Sequence, residues 1–136
     1  MGYKTVGRFV YDSATAQIVA EGGNVVFDNA TISNNCALSS PGAGVIRIKK
    51  PGLYNVFFSA TPVATAAGAV EFAMRHNGAV VPGANGSVQL AVVGDVGNVA
   101  FMSPVTVECG AGDTLAFFAD AATSVTTAAA IVEKVA

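Results

Sequence analysis

The sequence of 136 residues has no tryptophan, a single histidine and few charged residues. Charged side chains make up 12% of it, with seven lysines and arginines against nine aspartates and glutamates, for a formal net charge of −2. Nucleic-acid binding needs clustered cations that neutralise phosphates, and the longest basic cluster here is Arg47, Lys49 and Lys50. The composition therefore argues against a nucleic-acid partner. Its 52% of hydrophobic residues also argues against a disordered chain.

Long hydrophobic runs are missing as well. No stretch of about 18 apolar residues could span a bilayer, so no membrane partner is predicted. The first residues, Met1 to Thr5, lack the basic region and apolar stretch that begin a secretory signal. Two interpretations stay open: the protein is made and used without Sec export, or a leader has been removed.

Only two cysteines are present, Cys36 and Cys109. They lie too far apart in the sequence to form a CxxC motif. We interpret them as small buried or loop thiols, and a disulfide between them is the alternative.

Residue types that carry enzyme chemistry are sparse. His76 has no accompanying nucleophile motif such as G-x-S-x-G, so we interpret it as a structural residue at the edge of a hairpin. Asp113 is expected to cap its own turn through a side-chain to backbone bond. The loops at Asp95 and Asp113 supply one acid each, whereas calcium needs several oxygen ligands. The sequence therefore predicts no enzyme, no catalytic residue, no metal site and no cofactor.

The sequence is rich in Val, Thr and Phe, which Gly, Pro and Asn interrupt at short intervals. This pattern is typical of a β-sandwich or barrel. Pro51-Gly52 predicts a tight turn, Asn77-Gly78 predicts a type I′ hairpin, and Pro104 predicts an edge strand or a bulge. About ten strands in one small domain favour an antiparallel, two-sheet jelly roll. The predicted strands are residues 3–11, 16–19, 24–27, 45–49, 53–61, 69–77, 80–81, 87–93, 98–108, 114–119 and 125–135.

Two predicted strands, residues 53–61 and 114–119, carry phenylalanine on both faces when their residues are assigned alternately. A sandwich strand in a monomer needs only one apolar face, so the second face predicts a surface buried between copies. The predicted core residues are Tyr54, Val56, Phe58, Leu115 and Phe117, and the predicted interface residues are Phe57, Phe118, Leu53 and Ala116.

Four motifs in order resemble the tumour-necrosis-factor-like jelly rolls, especially the globular heads of complement and their bacterial relatives. They are residues 25–28 (VVFD), 50–58 (KPGLYNVFF), 75–78 (RHNG) and 107–115 (VECGAGDTL). The resemblance, which covers about residues 22–135, implies a ten-stranded jelly roll that assembles as a homotrimer. The interface it implies is an apolar outer face of the inner sheet, which suits Phe57 and Phe118. The chain departs from the family in having no tryptophan in the late Gly-Asp segment and no acidic loop clusters for calcium.

The resemblance also divides the chain. Residues 1–21 form an N-terminal segment, either a docking arm or a first strand, and residues 22–136 form the jelly-roll domain. The predicted loops, residues 31–44, 62–68, 94–97 and 120–124, contain no aromatic ring on which a sugar could stack. This favours a structural role over recognition, although adaptable polar loops can still bind.

The predicted function is that of a non-enzymatic structural trimer on the surface of a particle. The sequence relatives that the chain resembles are bacterial spore-surface and bacteriophage structural proteins. We therefore predict a bacteriophage capsid decoration or head-fibre protein, made in the host cytoplasm and located in the virion, with a capsid or fibre protein as its partner. The alternative is a spore-surface or extracellular knob that binds a glycan or receptor through its loops.

Overall fold

The computed structural model describes residues 5–33, 38–42, 44–108 and 112–136. Within these ranges every regular element is a β-strand, and no helix is long and apolar enough to cross a membrane. The strands are β1 (Val6–Val19), β2 (Asn29–Ser33), β3 (Leu38–Gly42), β4 (Val45–Ile48), β5 (Gly52–Val63), β6 (Gly68–His76), β7 (Ala79–Leu90), β8 (Val99–Val107), β9 (Asp113–Ala119) and β10 (Thr123–Lys134).

The strands pair in two antiparallel sheets that pack face to face. The first sheet has the order β2-β1-β10-β5-β8 and the second has the order β3-β4-β9-β6-β7. Connections that cross between the sheets place sequence neighbours such as β8 and β9 in different layers. This is the two-sheet jelly roll that the sequence predicts. Pro104 lies in β8, which is an edge strand of the first sheet, as expected for a residue without an N–H group.

The segments that the sequence analysis counted as about ten strands form eight strands in the structure, four in each sheet, so that count was wrong. Residues 3–11 and 16–19 contribute to one strand, β1, and residues 80–81 and 87–93 contribute to another, β7. Residues 24–27 are not a strand. The sequence analysis treated β2 and β3 as loop, and they add a short outer strand of five residues to each sheet. The sequence of β3, LSSPG, contains Pro and Gly, which hide it from pattern analysis.

The N-terminal segment is part of the sandwich. β1 lies inside the first sheet, where Val6 to Val19 pair with Glu133 to Thr123 of β10, with an irregularity between Asp12 and Gln17. No boundary between separate units therefore falls at residue 21 in the described part of the chain. Of the two alternatives, residues 6–19 take the place of a first strand.

Residues 20–28 form a strap that joins the two sheets. The Val25 N–H donates to the carbonyl of Phe117 in the second sheet, and the Asp28 N–H donates to the carbonyl of Val10 in the first. Between them, the side-chain amide of Gln17 pairs with both backbone groups of Val26, at 2.8 Å each. The side-chain amide thus replaces a strand partner, which explains why an alternating sequence is not a strand here.

Aromatic residues from both sheets meet in the core. Phe58 of β5 and Phe117 of β9 stack with ring centroids 4.5 Å apart and planes within 10°. Phe101 and Phe72 pack on Phe58 at 5.4 and 6.0 Å, and Phe27 of the strap meets Phe117 edge-on. Five residues that the sequence analysis assigned to the core have no exposed surface: Tyr54, Val56, Phe58, Leu115 and Phe117.

Two turns that the sequence predicts adopt backbone angles that few residues tolerate. Asn77 and Gly78 have φ of 52° and 83°, as a type I′ hairpin between β6 and β7 requires. Gly52 has φ of 149°, and a Cβ there would lie 2.6 Å from the carbonyl oxygen of Ala136. The end of the chain is fixed at this point, because the Leu53 N–H donates to Ala136 and the Val135 N–H donates to Leu53.

Truncation of the stacked phenylalanine should destabilise the subunit strongly. Phe58→Ala removes the ring that contacts three other phenylalanines, and such core truncations lower the free energy of unfolding by about 3–5 kcal/mol. Denaturant titration followed by circular dichroism measures the loss. Ile18→Ala is the control, since its side chain is 83% exposed and should change stability by less than about 0.5 kcal/mol. Equal effects of the two substitutions would contradict the assignment of Phe58 to the core.

Burial of Tyr54 predicts a loss of stability at high pH. Its hydroxyl donates to the Lys50 carbonyl at 2.7 Å, and desolvation raises the pKa of the phenol above its ordinary value of 10.0. Above pH 10.0 the unfolded chain loses this proton while the folded chain retains it, so the free energy of unfolding falls as pH rises. Tyr54→Phe should make that fall shallower in denaturant titrations at increasing pH. Parallel curves for the two proteins would exclude this contribution.

Candidate functional site: the outer face of the first sheet

The outer face of the first sheet carries a row of large apolar side chains. The strand register places Ile131 of β10 opposite Phe57 of β5, and Phe57 opposite Met102 of β8. Directly opposed residues of antiparallel strands lie on the same face, so the three side chains form a continuous row, called here the apolar row. Phe57 is 39% exposed and Met102 is 64% exposed. Arg8 of β1 ends the row at Ile131.

A groove lies beside the apolar row. The adjacent register positions hold Val10, Ala129, Ser59 and Ala100, whose small side chains leave a depression between their neighbours. The groove has a volume of about 740 Å³. It is lined by Arg8, Val10, Tyr11, Asp12, Asp28, Asn29, Ser59, Ala60, Thr61, Asn98, Val99, Ala100, Thr127, Ala128 and Ala129.

Hydroxyl groups cross the far side of the groove. The Thr127 hydroxyl donates to the Thr61 hydroxyl at 3.1 Å, and the Thr61 hydroxyl donates to the side-chain oxygen of Asn98 at 3.2 Å. Asp12 is opposite Thr127 in the register. The side chains on this face are therefore large and apolar in one row, small in the next row and polar in the third. This arrangement can bury another protein surface, but it aligns no nucleophile with a base.

The structure corrects the assignment of Phe118 and Ala116 to the same interface as Phe57. Both residues lie in β9, which belongs to the second sheet, whereas Phe57 lies in β5 of the first. Phe117, between them, is buried in the core, so Phe118 points to the outer face of the second sheet. The two outer faces are on opposite sides of the sandwich, so Phe57 and Phe118 do not belong to one continuous surface.

A cation covers the ring of Phe118. The Arg75 guanidinium carbon lies 3.7 Å from the ring centroid, and the same guanidinium donates to the Gly22 carbonyl at 3.3 Å. Ala116, opposite Arg75 in the register, is only 9% exposed. Arg75 thus shields this apolar patch within one chain, so the patch needs no second copy. The sequence analysis missed this contact because Arg75 and Phe118 are distant in the chain.

Leu53 lies at one end of the outer face of the first sheet, opposite Thr106 of β8. It is 38% exposed, and its backbone is fixed by Val135 and Ala136. The remaining members of the apolar row, Ile131 and Met102, were missed by the sequence analysis. Buried and exposed side chains alternate along β8 and β10. In the sequence this alternation is obscured, because Ala and Thr occupy many positions of β10 and Pro104 lies within β8. The pattern alone did not reveal which face would be exposed.

The single histidine contacts a carboxylate. His76 Nε2 and Asp113 Oδ2 lie 2.7 Å apart, and both side chains are largely buried. This contact links the end of β6 to the start of β9. Residues 109–111 of the turn that Asp113 was expected to cap lie outside the described residues. The neighbouring Asn77 side chain accepts a hydrogen bond from the Thr114 N–H at 2.8 Å. The arrangement joins two strands at a hairpin, which is a structural role for His76.

Among the described residues, no group of three or more His, Cys, Asp or Glu side chains is arranged to hold a metal ion. The Asp95 carboxylate instead accepts hydrogen bonds from the N–H groups of Ala91 and Val92, at 3.0 and 3.2 Å. Cys36 and Cys109, and with them the disulfide alternative, lie outside the described residues.

Comparison with known proteins supports the architecture. No protein-family model and no curated protein matches the chain. The Eiger TNF of S. frugiperda superimposes with a TM-score of 0.77 at 10% identity, over 98% of this chain and 93% of that one. The globular domain of zebrafish complement 1qA gives 0.70 at 13% identity, over 96% and 94%. The chain has the tumour-necrosis-factor-like jelly-roll fold.

A vertex protein has the same jelly roll. The vertex protein P5 of PRD1 matches this TNF-like chain with a TM-score of 0.64 at 14% identity, over 99% of this chain and 100% of that one. The fold is thus shared with proteins of several kinds, and the outer surfaces of the sandwich must distinguish their functions.

Proposed function

We propose that this TNF-like jelly roll is a non-enzymatic structural subunit that assembles as a homotrimer through the outer face of its first sheet. One observation carries the proposal: the apolar row of Ile131, Phe57 and Met102 lies open on that face. Removing apolar surface from water is favourable by roughly 25 cal/mol per Å². A monomer would leave Phe57 and Met102 in water without such a gain, whereas a second copy would bury them.

The edge of the sandwich formed by β7 and β8 is the complementary surface. β7 is a twelve-residue edge strand without a single charged residue. Exposed edge strands usually carry charges that prevent pairing with other chains. The absence of charge in β7 therefore favours an edge strand that another copy covers in the assembly. We infer that this edge packs against the groove of the next copy. Such an interface joins two different surfaces and can close into a ring. The homotrimeric assembly that the family resemblance implies supports a ring of three copies.

We further propose that the trimer is displayed on a particle, as a bacteriophage capsid decoration or head-fibre protein located in the virion. The likeness to a phage vertex protein supports this proposal, together with loops that lack aromatic platforms. A capsid or fibre protein would be the partner. Mass spectrometry of purified phage particles should then detect the chain. Detection on spore or cell surfaces and not on particles would support the alternative, an adhesion knob.

A charge in the apolar row should dissociate the trimer. Phe57→Asp would place one unpaired carboxylate in each of the three desolvated interfaces, which is strongly unfavourable. Because Phe57 contributes to the outer face and not to the core, the β-rich circular dichroism should persist. Light scattering should give three chains of 13.6 kDa, about 41 kDa, for the wild type and 13.6 kDa for the variant.

Phe118→Asp is the matched control, with the same substitution on the opposite outer face. It should remain trimeric, because Phe118 lies under Arg75 of its own chain and a carboxylate there can pair with that guanidinium. A wild-type protein that is monomeric at all concentrations would contradict the trimer. Dissociation by Phe118→Asp and not by Phe57→Asp would place the interface on the second sheet.

A further inference from the structure

The two ends of the sandwich differ in chemistry. Antiparallel pairing brings the ends of β1, β5, β7 and β9 together at one end, called here the tip, whose loops are residues 20–23, 64–67, 91–98 and 120–122. The opposite end, called here the base, holds the β4–β5 turn at residues 49–52 and the last residues of the chain, 134–136. Two surfaces of one molecule thus face in opposite directions.

Hydrogen bonds fix the tip loops. The Gly94 N–H donates to the carbonyl of Ala64 at 2.9 Å, and the Ala64 N–H donates to the carbonyl of Asp95 at 2.8 Å. The Asp95 carboxylate accepts from two further N–H groups of its own loop. The Thr65 hydroxyl donates to the carbonyl of Ala122, which ties in the last tip loop. The backbone is therefore ordered before any partner binds.

Three valines project from this fixed backbone into solvent. Val92, Val93 and Val96 are 59%, 69% and 64% exposed, although the core of the same loop region is tightly packed. Scattered apolar side chains are normal on a surface, but three in one fixed loop form a patch, and such patches mark interaction sites. A preordered loop also loses little conformational entropy when it binds.

The charges at the two ends are segregated. The charged residues of the tip loops are Glu21, Asp95 and Asp120, and Arg75 reaches these loops from β6 to donate to the Gly22 carbonyl. All three lysines of the described chain are at the base, where Lys49 and Lys50 precede Pro51, and Lys134 lies against Gly52. Around them are apolar surfaces of Pro51, Leu53 and Val135. The carboxylates at this end are the exposed Glu108 and the partly buried Glu133 and Asp113, the last of which contacts His76. The tip is an apolar patch with acidic surroundings, and the base is an apolar patch with lysines around it.

We propose that the tip of one trimer docks on the base of a second trimer, so that the occupant of the valine patch is another copy of this chain. The inference rests on the proposed trimer. A single contact of this kind is weak, because exposed ion pairs contribute little. Two trimers can form three identical contacts, and once the first contact has formed, the effective concentration of the surfaces that form the other two is raised. Since tip and base are different surfaces, the contact does not close and adds trimers along one axis.

Salt dependence tests the docking directly. Sedimentation velocity at increasing protein concentration should show multiples of the trimer at about 0.01 M salt, where charges interact over ~30 Å, and single trimers at about 1 M, where they interact over ~3 Å. Wild-type protein that remains a single trimer at low salt and at every concentration would overturn the docking and leave the trimer intact. A monomer in both salts would overturn the trimer itself.

A charge exchange identifies the surfaces. Lys49→Glu with Lys50→Glu makes the base acidic, and Glu21→Lys with Ala66→Lys and Ala122→Lys gives the tip loops three lysines against Asp95 and Asp120, which keep their hydrogen bonds. Each of the two variants alone should remain a single trimer at low salt, and an equimolar mixture should regain the higher multiples. Failure of the mixture to associate, with both variants trimeric and folded, would contradict the pairing of tip with base.

The apolar contribution has its own matched pair. Val93→Ser should lower the fraction of stacked trimers at low salt by removing one valine of the patch. Val26→Ser makes the same change at a site that is 40% exposed on the strap, away from both ends, and should have no effect. Equal effects, or none from Val93→Ser, would count against the patch.

Discussion

The contact between Phe58 and Phe117 marks the inner side of one strand in each sheet, β5 in the first and β9 in the second. One ring comes from the first sheet and the other from the second, and they stack at 4.5 Å. A single aromatic contact of this kind adds about 0.5–1.5 kcal/mol beyond the burial of its area. Its larger effect is geometric: once these rings are inside, strict alternation sends Phe57 and Phe118 outward on opposite sides. Each outer face therefore carries one phenylalanine that its own surroundings must shield from water.

The surroundings of the two outer phenylalanines differ. On the second sheet, Arg75 lies over Phe118 and donates to Gly22, so the ring is covered by a residue of the same chain. On the first sheet, the register places Met102 and Ile131 beside Phe57, and Phe57 and Met102 are 39% and 64% exposed. Covering a ring internally suits a surface that stays in water. Extending an apolar row across three strands suits a surface that another molecule will bury.

The sequence predicted most clearly what depends on neighbours in the chain. Asn77-Gly78 specifies its turn because few other residue pairs accept two positive φ angles in succession, and the alternation in residues 53–61 separates Phe58 from Phe57. The sheet to which each strand belongs was not predictable in this way. Phe57 and Phe118 look equivalent in sequence, and only the pairing of β9 with β6 and of β5 with β10 separates them. Short strands such as β3, and the strap held by the Gln17 side chain, depend on contacts between distant residues and escaped pattern analysis for the same reason.

The position of β10 has a consequence for how the protein is made. This last strand lies between β1, the first strand, and β5, so the first sheet has a gap at its centre until the final residues are available. On a ribosome, the emerging chain would hold two long strand edges without their shared partner. Contacts between the two ends of a chain require closing the longest loop, which slows folding. The first sheet is therefore completed only after all of its other strands have been synthesised, and a chain that has not yet reached β10 exposes edges that can pair with the wrong molecule.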